Sequence, residues 1–546
     1  MLDVAAHVPH PVNEPVLSYA PGSPERKSIK DALASMAKER VDLPHVVGGK
    51  EMRDGASFPV RAPHDHALEL GVAHHGGAGV AEKAIAAALA AAPAWAKTPF
   101  DARARIFQRA ASLLAGPWRA TLNAATMLGQ SKTVFQAEID AACELVDFLR
   151  FNVHFASRIA EQPFSPDGFS NALELRPLEG FVLAVTPFNF TAIGGNLPTS
   201  VALMGNVVVW KPAENQALAA HHTMKLLEAA GLPPGVINLV HGEGASVANA
   251  CIMHPSLAGV HFTGSTAVFQ SIWKSVGERI ASYRTYPRLV GETGGKDFVF
   301  AHPSAEIDAL AVALVRGAFE YQGQKCSAAS RAYVPKSLWP KLRARLLDEI
   351  RSIKMGDVRD FRNFMGAVIN ERAWTRLTEW IERVTHDAAC EVSTEAKQTS
   401  REKGWFIAPT LVEVNDPKHP IMQTELFGPV LSVFVYDDAR PGVIDETLRW
   451  IDETSPYALT GAIFARDRAA IAHAASVLRQ AAGNLYVNDK PTGAVVGQQP
   501  FGGARASGTN DKAGASYNLL RWASPRVVKE AFVPPVQVGY PFMREE

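Results

Sequence analysis

Residues 181–210 carry no charged side chain, and no other stretch constrains the fold as much. At about 1.5 Å per residue such a run is long enough for a helix to span a bilayer. Within it, however, stand Pro187, Asn189, Gly194, Gly195, Asn196, Pro198, Gly205 and Asn206, which interrupt any single helix. The run therefore reads as a buried strand (181–185), a loop, a helix near 197–204 and a second strand (207–210). The same rhythm continues with a helix at 216–230, a strand at 236–240, a helix at 245–251 and a strand at 259–262. Apolar strands alternating with helices predict a parallel, doubly wound α/β sheet.

A second region of this kind runs from 290 to 486, with strands expected at 298–300, 331–334, 430–436 and 461–464. Upstream, helices are expected at 81–95, 101–114 and 132–155; in the last, Val134, Ile139, Ala142, Leu145, Val146 and Leu149 recur at helical spacing. Residues 172–176 alternate and stop at Pro177, a strand of an exposed ribbon, and the extended tail 518–532 is its expected partner. The first fifty residues show no clear period and read as a surface arm.

With 546 residues, 47% hydrophobic and 20% charged, the composition is that of a globular protein. The charges balance at 55 Lys+Arg against 55 Asp+Glu, which removes the footprint of a nucleic-acid binder or a polybasic membrane-surface protein. Four cysteines cannot staple a chain of this size, which suggests a reducing compartment. Residues 1–7 have neither a basic nor an apolar leader pattern. A cytoplasmic enzyme is expected, or one of the mitochondrial matrix if the source is eukaryotic.

The dinucleotide signature Gly-x-Gly-x-x-Gly is absent; Gly242-Glu243-Gly244 lacks its third glycine. Phe262-Thr263-Gly264-Ser265-Thr266 follows a strand and opens a helix, so it presents N–H donors to a phosphate or is simply a capped helix start. Lys211 and Glu214 follow a strand and suit a sugar's hydroxyls, with Glu214 opposing a 2′-phosphate; the alternative is a solvated loop pair. Cys326, in Gly323-Gln324-Lys325-Cys326-Ser327, lies between a helix and a strand, where a thiolate nucleophile can face a cleft. Cys143, Cys251 and Cys390 read as core residues. Glu292, among Gly291, Gly294 and Gly295, suits a general base for water, or is a surface carboxylate. Asn189 offers an amide to an oxyanion, or merely forms a turn. His64, His66, His74, His75, His221 and His222 lack metal-ligand spacing and read as surface residues; no metal site is expected.

In their order, Thr186-Pro187-Phe188-Asn189, Trp210-Lys211-Pro212, Phe262-Thr263-Gly264-Ser265, Glu292-Thr293-Gly294-Gly295-Lys296, Gly323-Gln324-Lys325-Cys326 and Glu425-Leu426-Phe427-Gly428-Pro429 resemble the aldehyde dehydrogenase superfamily, from about residue 80 to 530. Residues 483–490, 492–503 and 504–512, with Asn13-Glu14-Pro15 and residues 22–26, narrow the resemblance to the delta-1-pyrroline-5-carboxylate dehydrogenases. That resemblance implies an NAD-dependent oxidation of L-glutamate gamma-semialdehyde to L-glutamate in proline catabolism. It also implies an aldehyde dehydrogenase-like α/β fold: an N-terminal arm (1–45), a Rossmann-type NAD-binding domain (46–163 and 181–290), a catalytic domain (291–509), and a β-strand oligomerisation ribbon and tail (164–180 and 510–546).

The resemblance assigns the nucleophile to Cys326, the base to Glu292 and the oxyanion donor to Asn189. NAD would be held by Thr186, Lys211, Glu214, Gly264, Ser265, Thr266, Ala267, Val268, Glu425 and Phe427. Phe190 and Phe501 would flank the substrate chain, with Ser327, Gly493 and Ala494 on its α-carboxylate. Some relatives carry serine at the position of Ala494, and most superfamily members leucine at that of Thr293, a change expected to be harmless. A homodimer or higher homo-oligomer and functional coupling to a separate proline dehydrogenase are expected, with no nucleic-acid or membrane partner. Two other readings stay open: a dehydrogenase of a different semialdehyde, and a catalytically silent scaffolding relative. The length leaves no room for a proline-oxidising flavin barrel beside this region.

Overall fold

The structure, a computed structural model, describes residues 8–159, 161–394 and 399–545; residues 1–7, in which no leader is expected, lie outside these. The uncharged run builds the centre of a seven-stranded sheet ordered Arg288–Glu292, Leu257–Thr263, Phe181–Thr186, Val207–Pro212, Ile237–Leu239, His45–Val47 and Lys50–Met52. The first five are parallel and the last two antiparallel. Phe181, Val182, Leu183 and Ala184, like Val207, Val208, Val209 and Trp210, are wholly buried. Burial on both faces is what an unbroken apolar strand encodes. The strand earliest in sequence among the five parallel ones lies in their middle, so the winding reverses between Phe181–Thr186 and Leu257–Thr263. At such a reversal the helices leave on opposite faces, and a crevice opens beyond the carboxyl ends of the strands. Thr186 ends one of these strands and Thr263 the other.

The second sheet is ordered Cys390–Thr394, Thr410–Val414, Val430–Tyr436, Ala329–Pro335, Asp297–Ala301, Thr460–Phe464 and Asn484–Val487, parallel except at the Cys390 edge. Ser524–Ala531 pairs antiparallel with Phe169–Arg176, Ser524 against Arg176 and Ala531 against Phe169. The tail expected to be extended throughout begins as a short helix, Ser516–Leu520, before this strand. Among the described residues no helix is long and apolar enough to cross a membrane.

Five local expectations need correction. The helix expected at 197–204 starts at Thr191 and ends at Leu203; it includes Gly194 and Gly195, where neighbours leave no room for a Cβ. A Cβ on Gly195 would meet Leu145 at 2.7 Å, and one on Gly194 would meet Gln216 at 2.8 Å. The helix expected at 132–155 is instead α-helical at Val134–Ala137, π-helical at Glu138–Glu144 and α-helical again at Leu145–Ala156. The arm contains a helix, Pro24–Met36, capped by the Ser23 side chain and buried along Ile29, Leu33 and Met36. Of the histidines expected at the surface, His64 and His221 are buried; desolvation pushes both down to about 4, and they pack as neutral rings. Cys143 and Cys251 are buried, whereas Cys390 is half-buried at the edge strand it opens.

Candidate active site

The chain reaches Cys326 through three consecutive left-handed residues, Tyr321 (φ 51°), Gln322 (φ 56°) and Gly323 (φ 65°). Two of them carry side chains, so surrounding contacts must hold the backbone there. Gln322 supplies them: its amide donates to the carbonyls of Ser131 (3.1 Å) and Ala367 (2.7 Å), and its oxygen accepts from Gly366 N–H (2.8 Å). Gln324 Oε1 accepts from Ile369 N–H at 2.9 Å. A Cβ on Gly323 would lie 2.3 Å from the Gly428 carbonyl oxygen, so only glycine fits. Cys326 is half-buried between buried neighbours. Burial, then the charges of Asp297, Glu425 and Glu292, pushes its thiol well above the usual range.

Glu292 ends the edge strand of the first sheet, opposite Thr263. Thr293 N–H donates to Ser507 O (2.9 Å), Thr293 Oγ1 to Ala506 O (2.6 Å), and Gly291 N–H to Thr509 Oγ1 (3.0 Å). These three bonds tie the Glu292 loop to residues 506–509, the Thr293 hydroxyl supplying the one to Ala506. The Glu292 Oε2 atom is buried with no hydrogen-bond partner among the described residues. Desolvation raises this carboxyl well above the ordinary range, against smaller opposing pulls from the Gly503 backbone and then from Lys512. Asn189 is buried, and its amide donates to Gln324 O at 3.1 Å. Cys326, Glu292 and Asn189 thus converge from the second sheet, the edge of the first, and the strand beside its reversal.

The residues assigned to a dinucleotide sit around the crevice. Thr186 Oγ1 accepts from Trp210 Nε1 (3.0 Å) and donates to Gln216 Oε1 (3.3 Å). Lys211 is 5% exposed and has no ion pair within 4.0 Å among the described residues; burial lowers its ammonium to about 8. Glu214 faces outward at 3.4 Å from His75. Gly264 and Ser265 lead into the helix Thr266–Glu278, where Ser265 Oγ caps Val268 N–H and Ala267 lies in the first turn. The first N–H groups of a helix have no partner within it, and such a terminus after a strand can hold a phosphate. Glu425 accepts from Gly295 N–H at 2.9 Å and is raised to about 7, mainly by burial. A Cβ on Gly294 would meet Glu425 Oε2 at 2.3 Å. Phe427 (φ 53°) stands edge-on to Phe188 at 5.7 Å. An unpaired buried ammonium, a helix N-terminus and a carboxylate over a glycine turn fit the sugars and pyrophosphate of a dinucleotide.

On the other side, Ser327 Oγ donates to Thr492 Oγ1 at 2.9 Å, which joins the nucleophile loop to the turn containing Gly493 (φ +95°) and Ala494. Phe501 exchanges two backbone bonds with Ala513, at 3.0 and 2.8 Å. The arm reaches this turn as well. Asn13 Nδ2 donates to Val496 O and Asp147 Oδ2, both at 2.8 Å, while Asn13 Oδ1 accepts from Gln498 Nε2 at 3.0 Å.

Sequence reasoning missed the charges beneath Phe190. Lys132, wholly buried, pairs with Asp140 at 2.7 Å, and its Nζ lies 4.1 Å from the Phe190 ring centroid and 4.5 Å from that of Tyr321. Asp140 also accepts the N–H groups of Thr191 (3.0 Å) and Ala192 (2.8 Å). Lys325, beside the nucleophile, pairs with Glu320 at 3.4 Å. Glu144 is raised to about 8, chiefly by desolvation and the Asp140 charge. The available signal was Glu138, Asp140 and Glu144 on a helix otherwise rich in alanine and leucine.

The chain matches the aldehyde dehydrogenase family over residues 51–528. It is 48% identical to the mitochondrial delta-1-pyrroline-5-carboxylate dehydrogenase of Dictyostelium discoideum, over 98% of this chain and 96% of that one. The crystal structure of the delta-pyrroline-5-carboxylate dehydrogenase of Mycobacterium tuberculosis bound with NAD superposes with a TM-score of 0.95, at 54% identity and full coverage of both chains. Proline utilization A from Bdellovibrio bacteriovorus is similar at 29% identity and a TM-score of 0.90, over 97% of this chain and 54% of that one.

Proposed function

The chain belongs to the aldehyde dehydrogenase family, and from that membership we propose that it oxidises L-glutamate gamma-semialdehyde to L-glutamate with NAD+, the second step of proline catabolism. The observation that carries this reading is its full-length identity of 48–54% with relatives named for that activity. The half-buried thiol, buried carboxyl and buried amide at one site support it.

Cys326 attacks the aldehyde carbon: the S–C bond forms, the thiol proton passes to solvent water, and the carbonyl oxygen becomes an oxyanion. Asn189 Nδ2 and backbone N–H groups of the nucleophile loop stabilise that charge, and a single such donor contributes about 3 kcal/mol where tested. NAD+, held by Thr186, Lys211, Glu214, the 264–268 turn, Glu425 and Phe427, supplies the hydride acceptor when bound. Loss of hydride leaves a thioester on Cys326. Glu292, ionised, takes a proton from water, whose oxygen adds to the thioester; the C–S bond breaks and glutamate departs. Phe190 and Phe501 flank the carbon chain, and Ser327 with the Gly493–Ala494 backbone receives the α-carboxylate. Without a serine at 494, backbone N–H groups carry more of that contact.

The two-stranded ribbon leaves Val527 63% and Phe532 60% exposed, a surface suited to a second copy, and we assign the homodimer contact to it. Transfer of substrate from a separate proline dehydrogenase fits the same reading. A panel of glutamate, succinate and simple aliphatic semialdehydes, each with NAD and NADP, tests the function. Preference for glutamate semialdehyde with NAD is expected; preference for a substrate without the amino acid head refutes it.

A further inference from the structure

Away from the active site, Asp387, Cys390 and His419 bring one ligand atom each within 4.8 Å of one another. His419 Nε2 lies 3.7 Å from Cys390 Sγ and 3.1 Å from Asp387 Oδ2. Tetrahedral zinc, with bonds of about 2.3 Å to sulfur and about 2.1 Å to nitrogen or oxygen, separates S from N by about 3.6 Å and N from O by about 3.4 Å. The sulfur–nitrogen separation of 3.7 Å matches that spacing, and the nitrogen–oxygen separation of 3.1 Å has only to open slightly. We propose that Asp387, Cys390 and His419 form a surface site for a borderline-soft divalent cation of the zinc class, with water completing the coordination.

The carboxylate is aimed before any ion arrives, because Asp387 Oδ1 accepts Ala389 N–H at 2.9 Å and leaves Oδ2 for the site. Ala388, Ala389, Cys390, Glu413 and Asn415 line a surface cavity of about 530 Å³, which gives the ion a path to the sulfur. Arg383, a cation that acts on Asp387, is stacked over Trp380 at 5.2 Å. Sulfur, imidazole and carboxylate together suit zinc rather than magnesium or calcium, which take oxygen ligands. The sequence hid this set because His419 lies 32 residues beyond Asp387.

Binding requires one rearrangement. His419 Nδ1 accepts Ile421 N–H at 3.2 Å, so the neutral ring carries its proton on Nε2 and points it at Asp387. A metal on Nε2 moves that proton to Nδ1 and breaks the bond to Ile421 N–H. One cap bond is weak beside a metal bound by thiolate and imidazole, so binding prevails. The broken cap belongs to the turn Pro420–Gln423, two residues before Glu425.

The test uses the full chain with Cys326→Ala, so that the active-site thiol contributes nothing, reduced and titrated with cobalt(II) as the probe. The expected result is a near-ultraviolet thiolate-to-cobalt band that saturates at one equivalent and is displaced by zinc. Adding Cys390→Ser removes the band. His419→Asn, which preserves a capping side chain, weakens binding by at least about tenfold, since even outer-shell losses reach that size. Absence of the band in the Cys326→Ala chain, or its survival in Cys390→Ser, overturns the proposal.

Discussion

The Asn189 amide donates to the carbonyl oxygen of Gln324 at 3.1 Å, two residues before Cys326. One side chain from the first sheet thereby sets the position of a loop on the second. In the proposed mechanism the second amide hydrogen is left for the oxyanion. Asn189→Ala is expected to lower kcat by about 100- to 1,000-fold, the effect of removing one oxyanion donor. The KM for NAD should be nearly unchanged, which steady-state kinetics with NAD varied will show.

Glu292 has two linked consequences. Glu292→Gln should release about one equivalent of NADH in a burst and then turn over slowly, because acylation survives while thioester hydrolysis loses its base. The wild-type steady state should rise with pH as the carboxyl ionises, and the variant should lose that dependence. Stability moves the opposite way. A carboxyl whose folded pKa lies above its unfolded value keeps its proton longer in the native state, so stability is lost as pH rises through that range. Glu292→Gln should therefore gain Tm relative to wild type above neutral pH, with little difference near pH 4. A constant difference across pH would contradict the burial argument.

The strands were legible because their apolar runs are bounded by glycine and proline, as at Phe181–Thr186 and Val207–Pro212. Cys326 could be singled out beside a glycine and a polar run, Glu292 among glycines, and Asn189 as an amide in an otherwise apolar stretch. The π-helical turn at Glu138–Glu144 was not legible. Its one-residue shift arises from packing, and the sequence keeps an ordinary helical period. The helix Pro24–Met36 did have a signal, Ser23-Pro24-Glu25, but its apolar stripe is narrow and interrupted by charge. The contacts of Asn13, Gln322 and Thr293 connect segments far apart in the chain, and no local pattern announces them.

Lys211 should set an alkaline limit on cofactor use. Its folded ammonium is lowered to about 8, so it loses its proton as pH rises through that value. The ribose then loses a charged donor, and the KM for NAD should climb above pH 8. Lys211→Met should raise that KM at every pH and flatten its dependence between pH 7 and about 9. A wild-type KM that stays level across this range would remove Lys211 from the ribose.

The buried pair of Lys132 and Asp140 should matter more to stability than an exposed pair would. Lys132→Ala leaves the Asp140 charge without its cation at a buried site, a change that costs about 3–5 kcal/mol where tested. Urea unfolding is expected to show a loss of that order. A loss below about 1 kcal/mol, typical of exposed pairs, would mean that Asp140 is already satisfied by the Thr191 and Ala192 N–H groups.

Asn13 lies far in sequence from the anchor turn, yet it bonds to Val496 O, Asp147 Oδ2 and Gln498 Nε2 at once. Glu14 N–H also donates to Asp147, at 2.7 Å, so the arm is fixed to the helix Leu145–Ala156 and steadies the turn that carries Gly493. Asn13→Ala removes two donors and one acceptor there. At about 1 kcal/mol per hydrogen bond, partial loosening should raise the KM for glutamate semialdehyde several-fold. The KM for NAD should stay constant, since Asn13 touches no group around the crevice between the central strands. For the same reason, substrates without an α-carboxylate should be affected far less. If the variant instead changes both KM values equally, the arm acts on overall stability and not on the anchor turn.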